Sequence, residues 1–484
     1  MGSKHRILAP LIGIVLLALA TALLAARSTK HTPAAVRQSP LAVIDDRVTQ
    51  VVRDVLSTSR MAGISVAVGR SNTIVYAKGF GVADRASGKP LGADAVMDIG
   101  SIGKQFTAAA VLKLVDGNRL GLDDTVTHHL PSWNDGRRGI TVRQLLQHTS
   151  GLEDPPFSEA KPERRFLKPV TSEGFLAFLH TARFRFRPQE TWQYANTGYQ
   201  VLGVMLERLY GRPYGRVIEE VVARPAGLNT VAYCDKSRPI ANRVRDYVVS
   251  GKRITPIPPL DVSWFGGAGS LCATASDLVR WEQALWSGKV VSAVSRGAMH
   301  ERAAIKTDRA SDVVFYGFGR EFGTLHGHVK IAHPGTGAGI SAILADYPDD
   351  NLIIAVLANT NGGGVPHARD IEARLAPALL GLAAHEHPPD VAVTPDRIAA
   401  WTGSYFSGSY ATRELRFTAC GTAAVCVAEG PAARPRRLRH RGDGVFSGLD
   451  GPESELRFAP AAGRAEWIVH TLHGVHEDVL RRVK

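Results

Sequence analysis

The sequence predicts an α/β (α+β) fold: an antiparallel β-sheet flanked by helices and carrying a large helical insertion, followed by a small all-β domain. Three observations predict it. Two strands with period-two alternation stand early, in "GISVAVGRSNTIVYAKGFGVAD". Short β-rich runs return late, in "YGFGREFG", "HVKIAH", "GISAILAD" and "NLIIAVLAN", with helices and loops in between. Beyond a proline-rich, charged stretch the chain turns to short strands again. Strands at both ends of a helical section imply one sheet assembled from both ends, with the helices on its face.

The elements follow in order along 484 residues, too many for one ordinary core. "MGSKHR" is a positive segment, and "ILAPLIGIVLLALATALLAA" is an apolar run closed by Arg27. Together, residues 1–26 read as an export signal. The run is long enough to act as an uncleaved membrane anchor over residues 7–26, while Ala18-Leu19-Ala20 supplies the small-x-small pattern of a cleaved signal peptide. Both stay open, and either places the protein outside the cytoplasm, in the periplasm or an equivalent space. No cysteine follows the run, so lipid attachment is not expected.

Residues 27–40 read as a polar tether, and "LAVIDDRVTQVVRDVL" has helical periodicity. The main domain is expected over 41–383. Within it, Thr274 and Asp277 of "TASDLVRWEQAL" have capping-box spacing, and "RDIEARLAPALLGL" closes the domain as a helix covering the sheet. A linker follows over 384–397, then a β-domain over 398–484 that contains "TGSYFSG", "RELRFTA", "AVCVAEG", "GVFSG", "SELRFAP" and "AEWIVHT".

Four cysteines in an exported chain permit disulfides in three pairings. A hairpin around "GTAAV" would join Cys420 to Cys426 and leave Cys234 with Cys272; buried free thiols are the alternative. The formal net charge is +13, yet neither a basic face nor a recognition motif for nucleic acid is present. The one dense basic run, "RPRRLRHR", reads as a solvated strand and loop, with attraction to anionic envelope surfaces as the other reading.

Chemistry concentrates in three places. In "MDIGSIGKQFTAAAVLKLV", Ser101 stands at a helix start, where the dipole favours a developing anion and the backbone N–H has no helical partner. Lys104 shares its face among Phe106, Ala108 and Val111, where desolvation lowers the pKa of an amine and fits it to take a proton. A capping serine and a snorkelling lysine are the plainer reading of that quartet alone. "WQYANTGYQ" sets Tyr194 and Asn196 before another helix: a general base beside a cation, and an amide for a substrate carbonyl. "AHPGTGAGIS" sets His333 and Gly335 at a strand edge, where glycine allows close approach and the Thr336 N–H can serve as an oxyanion donor.

S-x-x-K, Y-x-N and H-x-G in that order resemble the three motifs of the penicillin-recognising serine hydrolases, in the branch of class C β-lactamases, D-alanyl-D-alanine carboxypeptidases, D-aminopeptidases and related esterases. "ITVRQLLQHTSGL" and "GAGSLCATASDLVRW" resemble further segments of that family, over roughly residues 41–380. The resemblance implies a β-lactamase/transpeptidase-like fold. It implies that Ser101 attacks a carbonyl, Lys104 and Tyr194 manage its proton, the Ser101 and Thr336 amides hold the oxyanion, and Asn196, His333 and Gly335 line the substrate site. The substrate is then an ester or amide, with a peptidoglycan peptide or a β-lactam as the alternative, and no cofactor or metal is expected. A catalytically silent relative that binds peptidoglycan is the third reading.

His333 stands where the β-lactamases and carboxypeptidases of the family carry lysine, which weakens the case for carboxylate recognition. Pro334 removes a backbone donor beside it. His148 is expected to hold a loop near the site. His326 and His328 share a face on an extended strand but do not form a metal set with His333, and "HEH" at 385–387 is taken as polar linker. The C-terminal domain resembles the family's β-barrel-like appendage: a lid, a binding module or an oligomer contact.

Overall fold

The computed structural model describes residues 40–484 apart from 134–135, 137, 155–163, 180–183, 236, 259, 304–315, 383–389, 408–412, 422, 431–432, 450–453, 460–463, 474 and 484. The predicted export signal and all of the tether but Pro40 lie outside the described residues, as do residues 384–389 of the predicted linker, with the "HEH" among them. Among the described residues no helix is long and apolar enough to cross a membrane.

Helix α1 (Pro40–Thr58) leads into a hairpin of β1 (Gly63–Arg70) and β2 (Thr73–Asp84), which turns at Ser71 and Asn72 as their polarity predicts. A short strand, β3 (Lys89–Pro90), borders β2. The chain then leaves the sheet for a helical section. It returns as β4 (Glu321–Leu325), β5 (His328–Gly337), β6 (Ile340–Tyr347) and β7 (Leu352–Ala358). The seven-stranded sheet has the order β3-β2-β1-β7-β6-β5-β4, with β1 and β7 joining the two halves of the chain. One sheet from both ends with the helices inserted is the architecture that the strand pattern predicts.

Strands β1, β6 and β7 are buried along nearly all of their length because both faces are covered. Side chains alternate between the faces. On β7, Ile353, Ala355 and Leu357 join the core under the inserted helices, while Ile354, Val356 and Ala358 join the core under α1 and the C-terminal helix of the domain. The inserted side packs α2 (Gly103–Asp116), α3 (Ser172–Leu179), α4 (Asn196–Tyr210) and α5 (Ala275–Trp286). Eleven residues of α2 are buried, Lys104 among them, so this helix runs through the core.

At the start of α5, Thr274 accepts from the Asp277 N–H, half of the expected capping box. The Asp277 carboxylate turns instead to Thr230 and Arg280, because a loop donor and a guanidinium compete for it. Helix α6 (Ala368–Leu380) covers the other face and ends at Gly381 in a left-handed conformation.

The C-terminal all-β domain is a nine-stranded sheet whose first strand, Gly403–Ser407, pairs with its last. Its two edges, Arg436–Arg437 and Arg439–Gly442, are consecutive in the chain, so the sheet nearly closes on itself. The predicted basic strand is therefore this pair of edges, with Leu438 buried between exposed arginines. Helix α7 (Pro395–Trp401) plugs the domain: Val393, Ile398 and Trp401 join its core, so this core begins inside the stretch expected as linker. Strands β8 (Trp467–Leu472) and β9 (Val475–Arg482) turn toward the main domain.

Both cystines that a hairpin at Cys420 implied are formed, Cys234–Cys272 and Cys420–Cys426. His326 and His328 do not lie on alternating strand positions, because His326 sits in the β4–β5 turn with φ 51°. His328 hydrogen-bonds Asp350 at 2.8 Å through Nδ1.

Candidate active site

Ser101 lies in the tight turn Gly100–Ile102 that feeds α2. Gly100 has φ +50°, and its N–H donates to the Asp98 carboxylate at 2.8 Å, which fixes the approach to the nucleophile. Strand β5 lies directly against this turn. A Cβ on Gly335 would fall 2.0 Å from the Ile99 carbonyl oxygen, and one on Gly100 would fall 3.0 Å from the Thr336 nitrogen. Two glycines thus bring the exposed Thr336 and its amide beside the turn that carries Ser101.

Lys104 is fully buried, and its Nζ meets three oxygens: Ser101 Oγ at 2.9 Å, Asn196 Oδ1 at 2.8 Å and the Ala268 carbonyl at 2.7 Å. Burial lowers its pKa to about 7, against the opposing pull of Asp154 and Glu321. The geometry gives this value a chemical meaning. A neutral amine has two N–H donors and one lone pair. Asn196 Oδ1 and the Ala268 carbonyl can only accept, so they take the donors and leave the lone pair facing the Ser101 hydroxyl. The Tyr194 ring stands 4.8 Å from Nζ, with the phenol buried, and Tyr194 lines the same cavity as Ser101. The plainer reading, a snorkelling lysine, fails on burial.

Asn196 opens α4 and is oriented by a residue that motif reading missed. Asp154 accepts from the Asn196 N–H and Nδ2, each at 2.9 Å, and from the Thr197 N–H at 2.7 Å and hydroxyl at 2.9 Å. Its carboxylate caps the helix and turns Asn196 Oδ1 toward Lys104. The only sequence signal was an acidic residue in the loop after "QHTSGL". Asn196 was expected to orient substrate; here it orients Lys104 too, keeping one amide hydrogen for a ligand.

His333 is 1 % exposed and sits behind the cavity wall, where Pro334 and Thr336 take the facing positions. Its Nδ1 donates to the Pro334 carbonyl at 2.7 Å, so Nε2 accepts the Tyr316 hydroxyl at 3.0 Å. Burial and the nearby Lys104 lower its pKa to about 3, and the ring stays neutral. The expectation that His333 meets substrate is thereby corrected: a short imidazole satisfied on both nitrogens braces Tyr316 instead.

His148 does hold the neighbouring loop. Its Nδ1 accepts the Ala195 N–H at 3.2 Å, and its ring packs 4.4 Å from Tyr194 and 4.7 Å from Tyr316. Burial, then Lys104 and His333, push its pKa well below the ordinary range. Trp467 and Val469 of β8 and Val479 of β9 complete this cluster with Trp192, Tyr194 and Tyr316, so the C-terminal domain packs against the wall that carries Tyr194.

The cavity in front of Ser101 has a volume of about 1470 Å³ and is bounded by Tyr194, Asn196, Asp154 and Thr336 on the catalytic side. Among the described residues no group of three His, Cys, Asp or Glu side chains is placed to hold a metal ion.

Residues 48–379 match the family model described as Beta-lactamase. The chain is 26 % identical over 332 residues to penicillin-binding protein 4* of Bacillus subtilis strain 168, covering 64 % of this chain and 71 % of that protein. It is 27 % identical over 351 residues to the D-aminopeptidase of Brucella canis, covering 71 % of this chain and 64 % of the enzyme, so it spans less than two thirds of that relative. In fold it is similar to an octameric penicillin-binding protein homologue from Pyrococcus abyssi, with TM-score 0.63, 22 % identity and coverage of 90 % of this chain and 99 % of that one. It is also similar to the D-amino acid amidase of Ochrobactrum anthropi SV3, with TM-score 0.61, 21 % identity and coverage of 70 % and 98 %. With residues 48–379 matching its model, the chain belongs to the Beta-lactamase family and is a serine hydrolase of the penicillin-recognising superfamily.

Proposed function

We propose that this protein is an exported hydrolase that cleaves an ester or amide through a Ser101 acyl-enzyme. The observation that carries the reading is the fully buried Lys104 amine, with its Nζ 2.9 Å from Ser101 Oγ. Ser101 Oγ bonds to the substrate carbonyl carbon as its proton passes to Lys104, and the oxyanion rests on the Ser101 and Thr336 amides. The proton then moves to the leaving oxygen or nitrogen, with Tyr194 beside Lys104 as relay, and that bond breaks. Water reverses the sequence and frees the acid. Export rests on the charged and apolar segments within residues 1–26, and two cystines fit an oxidising compartment.

D-alanyl-D-alanine carboxypeptidase or β-lactamase activity ranks second, because its substrates carry a carboxylate and the histidine in the lysine position is neutral and hidden. A catalytically silent role ranks third, since Lys104 bonds both Ser101 and Asn196 and lies beside the Tyr194 ring, an arrangement that supports catalysis. The test sets p-nitrophenyl butyrate and D-amino acid p-nitroanilides beside benzylpenicillin. Turnover of an ester or anilide that disappears in Ser101→Ala, with penicillin left intact, supports the proposal. Preferential hydrolysis of penicillin would put the second reading first, and no turnover of any of them would favour the silent one.

A further inference from the structure

Besides Ser101, Tyr194 and Asn196, the cavity is lined by a group of four aromatic rings and, elsewhere, by charged side chains such as Arg238 and Arg245. We infer that Phe166, Phe178, Trp264 and Phe265 form a subsite for a bulky apolar acyl group, aromatic or branched aliphatic, on the substrate that Ser101 attacks. The inference rests on the proposed hydrolase activity and names its substrate class.

All four rings line the cavity that contains Ser101. They pack on one another: Phe166 meets Trp264 edge to face at 5.2 Å and stacks on Phe265 at 6.3 Å, while Phe178 meets Trp264 edge to face at 5.6 Å. Three hydrogen bonds tie the wall together. The Asp261 N–H donates to the Phe166 carbonyl at 2.9 Å, the Val170 N–H to Ser263 Oγ at 2.9 Å, and the Trp264 indole N–H to the Lys168 carbonyl at 2.8 Å. With the indole N–H engaged, Trp264 offers the cavity only carbon. The Asp261 carboxylate is turned back onto Ser263, at 2.7 Å from its hydroxyl. Phe178 and Trp264 are half-buried and rest on the main core, which leaves ring surface open to a ligand.

The wall is joined to the catalytic machinery by the chain itself. The Phe265 carbonyl accepts the Ala268 N–H at 2.7 Å, and the Ala268 carbonyl is one of the three oxygens that meet Lys104 Nζ. Gln200, one helical turn beyond Asn196 on α4, donates to the Trp264 carbonyl. An acyl chain attached at Ser101 therefore shares its cavity with an apolar surface, and a charged group laid on these four rings would lose water without gaining a partner from them. Discrimination by such a wall is expected to reach about tenfold or more for an added ring.

The test uses two p-nitrophenyl esters with the same leaving group, acetate and 3-phenylpropanoate, each kcat/KM being divided by the hydroxide rate for that ester. The protein is expected to favour the phenylpropanoate by about tenfold or more. Trp264→Ala and Phe178→Ala should each bring the ratio toward one; because it is a ratio within one variant, a general loss of activity cancels. Phe178 is only half-buried, so its variant serves should the tryptophan variant fail to fold. Equal use of both esters by the unaltered protein, or an unchanged ratio in a folded variant, would overturn the subsite and leave the hydrolase intact. Hydrolysis of neither ester would overturn both.

Discussion

Lys104 Nζ and Ser101 Oγ stand 2.9 Å apart, and the lysine has no second course for its lone pair, because Asn196 Oδ1 and the Ala268 carbonyl occupy its donors. A lysine exposed at the same spacing would stay protonated and useless as a base near neutral pH. Burial supplies the difference.

This relationship predicts the pH dependence. Because the Lys104 pKa is lowered to about 7, the reactive neutral amine accumulates as pH rises through that value. The acylation rate should climb with pH and level off above about 8. Lys104→Ala should slow acylation by at least about a hundredfold, and Lys104→Arg, which remains charged, should not restore it. Stopped-flow measurement of p-nitrophenol release between pH 5 and 9 checks both, on the scale of that ionisation.

Much of this site was legible because each motif sits at the start of a helix or on a strand edge, where residue type and local geometry agree. Ser101, Lys104, Tyr194 and Asn196 converge as their order implies, and Thr336 reaches the nucleophile because Gly335 and Gly100 allow it. What escaped were contacts between segments distant in the chain. Asp154 reaches Asn196 across 42 residues, Tyr316 reaches His333 from a separate segment, and the Ala268 acceptor is a backbone carbonyl without side-chain signature. His333 was misplaced because alternation along β5 gives the cavity-facing positions to Pro334 and Thr336, and the ring finds its partners on the other face. In the C-terminal domain, alternation marked the strands but not the helix plug at Trp401 or the docking of Trp467 beside Tyr194.

Asp154 is expected to matter twice. Asp154→Ala removes the acceptor shared by four donors at the start of α4, leaving Asn196 free to rotate away from Lys104. It should cost about 1–2 kcal/mol of stability as a lost cap, and kcat should fall by about tenfold or more. Urea melts and steady-state kinetics on the same preparation separate the two effects.

Trp467 of the C-terminal sheet is 5 % exposed and packs in the cluster that contains Tyr194 and Tyr316. Trp467→Ala opens a void in the packing of Tyr194. We expect a loss of about 3 kcal/mol and a fall in kcat larger than any rise in KM, because the change acts on Tyr194 and not on substrate contacts.

Lys330 and Glu372 form a fully buried pair at 2.6 Å; Tyr347 also donates to Glu372, and Lys330 to the His473 carbonyl of the C-terminal domain. Glu372→Ala strands the lysine charge and should destabilise the protein by about 3–5 kcal/mol. The double variant Lys330→Met/Glu372→Leu, which removes both charges, should recover most of that loss in a urea melt.

The most direct test of the central claim is intact-mass spectrometry of the soluble chain after exposure to a fluorophosphonate, with the adduct located by peptide mapping. A single adduct on Ser101, absent in Ser101→Ala and formed at least about a hundredfold more slowly in Lys104→Ala, is the expected result. Modification elsewhere, or equal labelling of all three proteins, would contradict the assignment of Ser101 as nucleophile and Lys104 as its base.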